Sequence, residues 1–318
     1  MRAAVVFNPV AGGPSSPPLE ELTGRLAGRF ELDVLVTSPE RDADACAREA
    51  LARGAELVIA AGGDGTVSAV AGELIGSEAI LGVVPCGTAN AMARALGVAG
   101  DLDEACAALA SAEPRWLDTA TCDGRSMLLF CSVGLHAETM DDASREQKGR
   151  WGVLAYLAAG LRNLLELDPF EVELETESHR IRCRATSVMV ANLAPPRSIL
   201  AQGPAVVRPD DGLLDVTLVA ADDLASAVAS GLHLLRTASR NEPAERDRIG
   251  FFPCRRVRIT TAEPQKVSVD GEVTGTTPVE VACRPRSLRV LVPQGALDDA
   301  GPPDARLSGL PDLEVERT

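Results

Sequence analysis

The first 120 residues alternate short apolar runs with amphipathic stretches, and this alternation restricts the fold more than any other feature of the sequence. The apolar runs have the length of buried strands, and the stretches between them have helical spacing, with Gly97 placed as a helix C-cap. Strands that alternate with helices in this way predict a parallel sheet covered on both faces. The predicted strands are 3–9, 30–37, 56–62 and 80–85, and the predicted helices are 18–29, 40–53, 66–76 and 88–97.

The sequence changes character near residue 121, where short β-rich runs separated by turn signals begin. This pattern predicts a second domain that is mostly an antiparallel sandwich or barrel. The β-rich runs are 127–133, 170–176, 181–191, 213–219, 255–261, 266–269, 279–283 and 287–292, and two helical patterns interrupt them at about 150–166 and 221–237.

These patterns divide the chain into an α/β domain, a β-rich antiparallel sandwich domain and a tail. We place the α/β domain at 1–121, rejoined by the returning segment 287–297, and the β-rich domain at 122–286. The tail, 298–318, is rich in proline, glycine and acidic residues, which predicts disorder.

Composition excludes several kinds of partner. The net charge of −15 opposes binding to an extended phosphate backbone, and aromatic residues, at 3%, are too few to stack on nucleic-acid bases.

No two of the eight cysteines have CxxC spacing, so the sequence indicates neither a zinc site nor a disulfide framework, and we interpret most cysteines as small core residues. With no leader and no apolar stretch of transmembrane length recognised, the prediction is a cytoplasmic protein.

The stretch "AAGGDGTVSAV" places Asp64 among three glycines between a buried strand and a helix. Glycines at such a turn let backbone N–H groups point outward, and the helix N-terminus behind them favours a phosphate group. A carboxylate in that position is consistent with Mg²⁺ lying between it and the phosphate. The alternative, an Asp-Gly turn in which Asp64 caps the helix, stays open.

Three neighbouring strands end in similar chemistry. "NPVAGG" follows the first strand, "LVTS" ends the second, and "PCGTANAMAR" follows the fourth, where Thr88 can cap a helix and offer its hydroxyl group to a phosphate. Because ligands bind at the carboxyl ends of parallel strands, these turns predict one ligand site at that edge of the sheet.

In this order and spacing, the motifs "NPVAGG", "GGDGT" and "PCGTANAMAR" resemble the diacylglycerol kinase catalytic domain family. The chain is similar to the soluble bacterial lipid kinases of that family, which are related to sphingosine and ceramide kinases. Later stretches, "SVGLHAE", "PDDGLLDV" and "VDGEVT", extend the resemblance over about residues 1–297.

The resemblance implies an ATP- and Mg²⁺-dependent lipid kinase in which the nucleotide lies between the two domains. Asp270 is then the candidate general base, and Glu272 helps to place the nucleotide or the metal ion, whereas without the resemblance "VDGEV" is a plain hairpin turn. Asp64 acts on phosphate through magnesium and water. The predicted nucleotide-binding residues are Asn8, Thr37, Gly62, Gly63, Asp64, Gly65, Thr66, Gly87, Thr88 and Asn90.

The segment "RPDDGLLDV" has three carboxylates around a glycine. The resemblance implies a structural Mg²⁺ held by Asp211 and by the backbone carbonyl groups of Arg208 and Leu213, with Asp215 as a further ligand, which agrees with the oxygen preference of this ion. An acidic turn before a strand is the alternative.

The chain departs from the family pattern at four positions. Ser68 and Ala69 replace a frequent Asn-Glu, Ala91 replaces an Asp, and His136 replaces an Asp, while Asp64, Thr88, Asp270 and Glu272 are retained. Two alternatives to a lipid kinase therefore stay open: an NAD kinase-like enzyme, and a nucleotide- or lipid-binding regulator without turnover.

The predicted partner is a lipid with a free hydroxyl group, and no nucleic acid is expected. A transient contact with the inner membrane face is the further expectation, through the apolar stretch 151–167 or through basic residues at 145–150 and 251–259. Whether the chain forms a homodimer is left open.

Overall fold

The computed structural model describes residues 2–12, 17–28, 30–98, 101–134, 169–195, 203–204, 206–221, 224–240, 242–297 and 305–318. His136, the stretch 151–167 and the basic residues at 145–150 lie outside these residues. The chain forms two compact units, Met1–Thr119 with Pro285–Asp299 and Ala120–Arg284 with Ala300–Thr318.

The first unit contains a parallel sheet, as the alternating pattern predicts. Its strands run in the order β2-β1-β3-β4, and the register places Phe7 beside Val36 and Ala61, and Gly62 beside Pro85. The strands are β1 Arg2–Phe7, β2 Glu31–Val36, β3 Leu57–Gly62 and β4 Ile80–Pro85. The helices are α1 Leu19–Leu26, α2 Ala43–Ala52, α3 Asp64–Leu74, α4 Ala91–Ala95 and α5 Leu102–Ser111.

Apolar side chains cover both faces of this sheet. On one face, Leu22 and Leu26 of α1 and Leu109 of α5 join a buried cluster with Val5 and Ile59. On the other face, α2 and α3 pack against the strands, and α3 buries Val67, Val70 and Leu74. Because every residue of β3 is buried, this strand reads as a continuous apolar run rather than an alternating one.

The two helices that follow β3 and β4 begin at residues other than the predicted ones. Helix α3 begins at Asp64, and α4 begins at Ala91, so the interpretation of Thr88 as the N-cap is wrong. Asn90 takes the N-cap position in a left-handed conformation (φ 47°), which ends the preceding turn and shortens the helix. Gly97 confirms its predicted capping role: its N–H donates to the Arg94 carbonyl group and that of Val98 donates to the Ala93 carbonyl group.

The second unit is an antiparallel β-sandwich, which confirms the predicted fold class. One sheet has the order β17-β9-β8-β13-β16, and the other, called the second sheet below, has the order β12-β11-β10-β7-β14-β15. Strand β5, Glu113–Cys122, begins in the first unit and forms a hairpin with β6, Arg125–Met127, in the second. The other elements are β7 Phe130–Gly134, β8 Phe170–Glu175, β9 His179–Ala185, β10 Ser187–Ala191, β11 Leu214–Val219, α6 Leu224–Arg240, β12 Ile249–Cys254, β13 Arg256–Thr261, β14 Lys266–Val269, β15 Glu272–Thr276, β16 Val279–Val292 and β17 Glu314–Arg317.

Two predicted runs divide differently in the structure. The run 181–191 is two strands, β9 and β10, which belong to opposite sheets of the sandwich. The runs 279–283 and 287–292 are one strand, β16, whose first residues pair with β13 and whose last residues, in the first unit, pair in parallel with β4. A turn signal near a domain boundary is therefore not enough to separate two strands.

The prediction of a disordered tail is wrong for residues 305–318. Strand β17 pairs with β9, Leu310 is 6% exposed within the sandwich core, and Leu307 and Leu313 pack against that core. These three leucines recur at every third residue. The prolines and acidic residues around them made the segment resemble a disordered tail.

Seven of the eight cysteines are buried and Cys283 is partly buried, in agreement with their interpretation as core residues. Among the described helices, none has the length and hydropathy needed to cross a membrane. In β13, Arg256 and Arg258 are exposed and Val257 and Ile259 are buried, so these arginines alternate along a strand with core residues and point to solvent.

Candidate functional site

The carboxyl ends of β1, β2 and β3 meet at one edge of the parallel sheet and form a pocket of about 750 Å³. The predicted residues Asn8, Thr37, Gly63, Gly65 and Thr66 all line it. The remaining lining residues are Pro9, Val10, Ala11, Ser38, Pro39, Asp42, Ala43, Asp44 and Ala69.

Hydrogen bonds tie these strand ends together. The Asn8 side-chain Nδ2 donates to Thr66 Oγ1 at 2.9 Å, and its Oδ1 accepts the Val10 N–H at 3.1 Å. The Thr37 N–H donates to the Phe7 carbonyl group at 2.9 Å. Asn8 therefore links the turn after β1 to the first turn of α3, and the polar groups of both turns reach the same pocket.

Two glycines, Gly62 and Gly87, are required because a side chain at either position would meet a close neighbour. A Cβ atom on Gly87 would lie 2.6 Å from the Gly63 Cα atom, and one on Gly62 would lie 2.5 Å from the Thr66 Cβ atom. Gly65 differs, because a Cβ atom there would have no neighbour within 4 Å. Gly62 and Gly87 thus allow the turns to pack, whereas a Cβ atom on Gly63 would make an ordinary contact of 3.4 Å with the Gly87 Cα atom. Gly65 keeps space open beside the pocket.

Asp64 is the first residue of α3, and Gly63 holds the N-cap position, so the capping alternative for Asp64 is wrong. Its half-buried carboxylate accepts the Met92 N–H at 3.3 Å through Oδ1. The carboxylate therefore lies at the positive ends of two helices, α3 and α4, where a negative charge is stabilised. Sequence reasoning missed Met92, because a backbone donor leaves no residue-type signal.

Gly87 and Asn90 close the turn after β4. Asn90 Oδ1 accepts the Gly87 N–H at 2.8 Å, and Asn90 Nδ2 donates to the Gly87 carbonyl group at 2.9 Å. Thr88 is exposed at the tip of this turn. Gly87 approaches Gly63, but Gly87, Thr88 and Asn90 do not line the pocket described above.

The opposite wall of the pocket carries two carboxylates that sequence reasoning did not select, Asp42 and Asp44. Asp42 caps α2 by accepting the Ala45 N–H at 2.8 Å. Burial raises the pKa of Asp44, and the neighbouring charges of Asp42 and Glu73 raise it further. Ala69, one of the departures from the family pattern, lines the pocket without adding a charge.

In the second unit, Asp270 is the first turn residue of the β14–β15 hairpin. Asp270 and Gly271 both have positive φ angles, 48° and 94°, as a two-residue Asp-Gly hairpin requires. The carboxylate accepts three backbone N–H groups, from Leu128 at 2.8 Å on Oδ2 and from Leu129 and Phe130 at 2.8 and 3.0 Å on Oδ1. This set of contacts, called the Asp270 clamp below, exceeds what a plain hairpin needs.

Two further contacts hold the same segment. The buried Asn192 donates from Nδ2 to the Leu128 carbonyl group at 2.8 Å, and its N–H donates to the Leu129 carbonyl group at 2.8 Å. Sequence reasoning missed Asn192 and the 128–130 amides because their partners lie more than sixty residues away along the chain. Glu272 is exposed at the start of β15.

The predicted metal-binding residues lie before and within β11. Asp211 Oδ1 accepts the Leu213 N–H at 2.9 Å, and the Arg208 guanidinium lies 3.5 Å from Asp210. Burial raises the pKa of Asp215 to about 7, and the charge of Asp211 contributes to the shift. Among the described residues no three His, Cys, Asp or Glu side chains converge, so an ion here needs carbonyl or water oxygens as well.

The strand register brings Asp215 and Asp270 to the same end of the second sheet. Asp215 pairs with Ala191, Ala191 pairs with Phe130, and the Asp270 N–H donates to the Phe130 carbonyl group at 2.9 Å. Two strand spacings, roughly 10 Å, separate β11 from β7. The two predicted acidic groups of the second unit therefore lie at the same end of the second sheet, with Asp270 one strand beyond β7.

Comparisons with known proteins match both units of the chain to known families. A family model described as the diacylglycerol kinase catalytic domain matches residues 2–122, and one described as the YegS C-terminal NAD kinase beta sandwich-like domain matches residues 130–292. A crystal structure of a putative diacylglycerol kinase from Bacillus anthracis has a TM-score of 0.74 at 25% identity and covers 93% of this chain and 98% of its own.

Curated relatives match over nearly the whole chain. The diacylglycerol kinase of Bacillus subtilis is 28% identical over 92% of this chain and 97% of its own length. A probable lipid kinase YegS-like protein of Xanthomonas oryzae pv. oryzae is 32% identical over 86% of this chain and 91% of its own length. These matches confirm the resemblance that the sequence motifs predict.

Proposed function

Because the chain belongs to the diacylglycerol kinase-like family of bacterial lipid kinases, we propose that it transfers the γ-phosphoryl group of ATP, with Mg²⁺, to a hydroxyl group of a lipid such as diacylglycerol. The observation that carries the proposal is the pocket at the strand ends of the first unit, which combines outward glycine turns with a helix N-terminus. Such a site binds phosphate groups without needing a basic side chain.

The phosphate groups of ATP lie at Gly63, Gly65 and Thr66, and the nucleoside extends toward Thr37. Open space beside Gly65 lets a phosphate approach the backbone of the first turn of α3. The Thr66 hydroxyl, held by Asn8, lies at the same turn. Gly87, Thr88 and Asn90 lie in the neighbouring turn and Gly62 lies at the end of β3, so these four residues flank the pocket wall.

Asp64 is the residue that would hold the catalytic Mg²⁺, directly or through water. The half-buried carboxylate is a hard oxygen donor placed beside the glycine turn, so it fits this ion. Magnesium supplies charge neutralisation on the phosphate oxygens. The Met92 N–H fixes the direction of the carboxylate before any ligand binds.

Asp270 acts as the general base on the lipid. The Asp270 clamp holds both carboxylate oxygens in a defined position, as a positioned base requires. Asp270 takes the hydroxyl proton while the lipid oxygen forms a bond to the γ-phosphorus atom and the bond from that atom to ADP breaks. Glu272, exposed beside it, helps to orient the nucleotide or the metal ion.

Asp211 and Asp215 would hold a second, structural Mg²⁺ with the carbonyl groups of Arg208 and Leu213. Burial is the main cause of the raised pKa of Asp215, and electrostatic repulsion from Asp211 raises it further. A divalent ion would relieve that repulsion and keep the start of β11 in place.

The test is transfer of label from γ-labelled ATP to a bacterial lipid extract by the purified full chain in the presence of Mg²⁺. Wild type labels one lipid class, Asp64→Ala and Asp270→Asn label none, and the control Asp33→Asn labels as wild type does. Asp33 is a suitable control because it lies on β2, forms a surface ion pair with Arg53, and does not line the pocket.

Other results would overturn the proposal. Transfer of label to NAD and not to lipid indicates an NAD kinase-like enzyme. ATP binding without transfer to lipid or NAD indicates a regulator. Equal labelling by wild type and Asp270→Asn removes Asp270 from the role of general base.

A further inference from the structure

The pocket of the first unit has two walls of opposite electrical character. One wall is the glycine turn with the first turn of α3, where backbone N–H groups attract phosphate. The other wall is the start of α2, where Asp42 and Asp44 place two negative charges beside the same space of about 750 Å³. A ligand that fills this pocket must therefore be anionic at one end and must carry neutral hydrogen-bond donors at the other.

The two carboxylates differ in what they already bind. Asp42 accepts the Ala45 N–H at 2.8 Å and so caps α2. Among the described residues, Asp44 accepts a hydrogen bond only from its own backbone, and Arg48, the cation that stabilises its charge, forms an ion pair with Glu73 at 2.6 Å. The Asp44 carboxylate thus keeps acceptor capacity for a ligand in the pocket.

The environment of Asp44 restricts which ligand group can meet it. The residue is half-buried, and burial raises the pKa of its carboxyl group, as do the charges of Asp42 and Glu73. A phosphate or carboxylate placed there would add to this repulsion. A hydroxyl or amino group would instead supply the hydrogen bonds that a partly buried carboxylate lacks, so the chemistry favours a neutral donor at this wall.

The strand order sets the distance between the two walls. Strand β1 lies between β3, which leads into the glycine turn, and β2, which leads to α2. Two strand spacings, roughly 10 Å, therefore separate the two strand ends. With the phosphate groups at α3, the next part of a nucleotide is the ribose, whose two adjacent hydroxyl groups are neutral donors. In dinucleotide-binding sheets a carboxylate near the strand ends accepts a ribose hydroxyl group in the same way.

We propose that Asp44 accepts hydrogen bonds from the ribose hydroxyl groups of the nucleotide and so selects ribonucleotides over nucleotides that lack those groups. This inference rests on the proposed function, since it takes the phosphate groups to lie at the first turn of α3. Asp44 is thus a specificity residue for the phosphoryl donor and takes no part in the transfer. Its charge also orients the donor, because a reversed nucleotide would bring its phosphate groups against two carboxylates.

The experiment compares ATP with 2′,3′-dideoxyATP, which has the same base and phosphate groups and no ribose hydroxyl group. Binding of each nucleotide to the full chain is measured by titration calorimetry with Mg²⁺ at pH 8, without lipid. Wild type is expected to bind ATP at least about tenfold more tightly, the ratio that a hydrogen bond to a charged group supplies. Asp44→Ala should reduce this ratio to about one, and Asp44→Asn, which keeps one acceptor oxygen, should give a ratio between the two.

Glu73→Gln is the matched control. Glu73 carries the same charge, lies close enough to affect Asp44, and does not line the pocket. Its substitution removes one negative charge beside Asp44 without removing the acceptor, so the ratio between the two nucleotides should stay as in wild type. A loss of the ratio in Glu73→Gln as large as that in Asp44→Ala would show that charge alone is responsible and would overturn the inference.

Three other results would also overturn it. The first is a ratio near one in wild type. The second is an Asp44→Ala protein that keeps the wild-type ratio, including one that binds both nucleotides more weakly to the same extent, as a role on Mg²⁺ or phosphate predicts. The third involves purine riboside triphosphate, which keeps both hydroxyl groups and lacks the adenine amino group. If Asp44→Ala removes a preference for ATP over this nucleotide and not over 2′,3′-dideoxyATP, the carboxylate binds the base.

These measurements also separate the inference from the proposed function, because they contain no lipid. A preference for ATP that depends on the ribose hydroxyl groups and on Asp44 supports the inference even if no lipid is labelled. Lipid labelling by a protein that binds both nucleotides equally keeps the proposed function and overturns the inference. Binding of neither nucleotide overturns the inference, whereas label transfer to lipid decides the proposed function by itself.

Discussion

Gly65 in the pocket and Gly87 in the neighbouring turn should respond to the same substitution in opposite ways. In Gly87→Ala the new Cβ atom would lie 2.6 Å from the Gly63 Cα atom and 2.9 Å from Asn90 Oδ1. Carbon atoms in contact prefer a separation of about 3.5 Å or more, so the two turns must separate by roughly 1 Å. Overpacking of this kind costs about 1–3 kcal/mol, or about 3–10 °C in Tm.

Gly65→Ala meets no such obstacle. Its Cβ atom has no neighbour within 4 Å, and Gly65 lies in the first turn of α3, where alanine is a better helix former by up to about 1 kcal/mol. The same methyl group occupies the space that the proposed phosphate site needs. We therefore expect a stability equal to or above that of wild type, together with ATP binding at least tenfold weaker.

Urea unfolding and titration calorimetry with ATP would measure both quantities for the two variants. A stable Gly87→Ala protein would refute the close approach of the turns. A Gly65→Ala protein that binds ATP as tightly as wild type would refute the location of the phosphate groups. Gly72→Ala serves as the control, because it also lies on α3 with open space around it and does not line the pocket.

Three further results are expected. Asp270→Asn should lower kcat for lipid phosphorylation by at least 100-fold while the Kd for ATP is unchanged, and a parallel change in Kd would contradict its role on the lipid. Leu310→Ala should destabilise the second unit by about 2–4 kcal/mol in urea unfolding, since this leucine is 6% exposed in the core, whereas a loosely attached tail would show no change. Mg²⁺ at about 100 times its Kd should stabilise wild type against unfolding by about 2.7 kcal/mol at pH 8. Asp215→Asn should abolish this stabilisation, and the neighbouring Asp210→Asn should keep it. Equal stabilisation of all three proteins would exclude the Asp211–Asp215 site.

Local patterns were sufficient for much of the fold. The strand β3 and the glycine turn after it follow from an apolar run that ends at three glycines, and the β14–β15 hairpin follows from an Asp-Gly pair between strands. These features depend on periodicity and on allowed φ angles, which neighbouring residues determine. The tail was predicted wrongly because its three leucines are stabilised by a core built from distant segments.

The two-unit architecture, the parallel sheet and the turn chemistry at its carboxyl ends could be predicted, because contiguous residues encode each of them. The surroundings of these residues follow from the tertiary structure alone: the Met92 amide against Asp64, the 128–130 amides around Asp270, and the place of Asp44 in the pocket wall. The physical reason is that these contacts depend on strand register and on burial, which arise when segments far apart in the chain pack together.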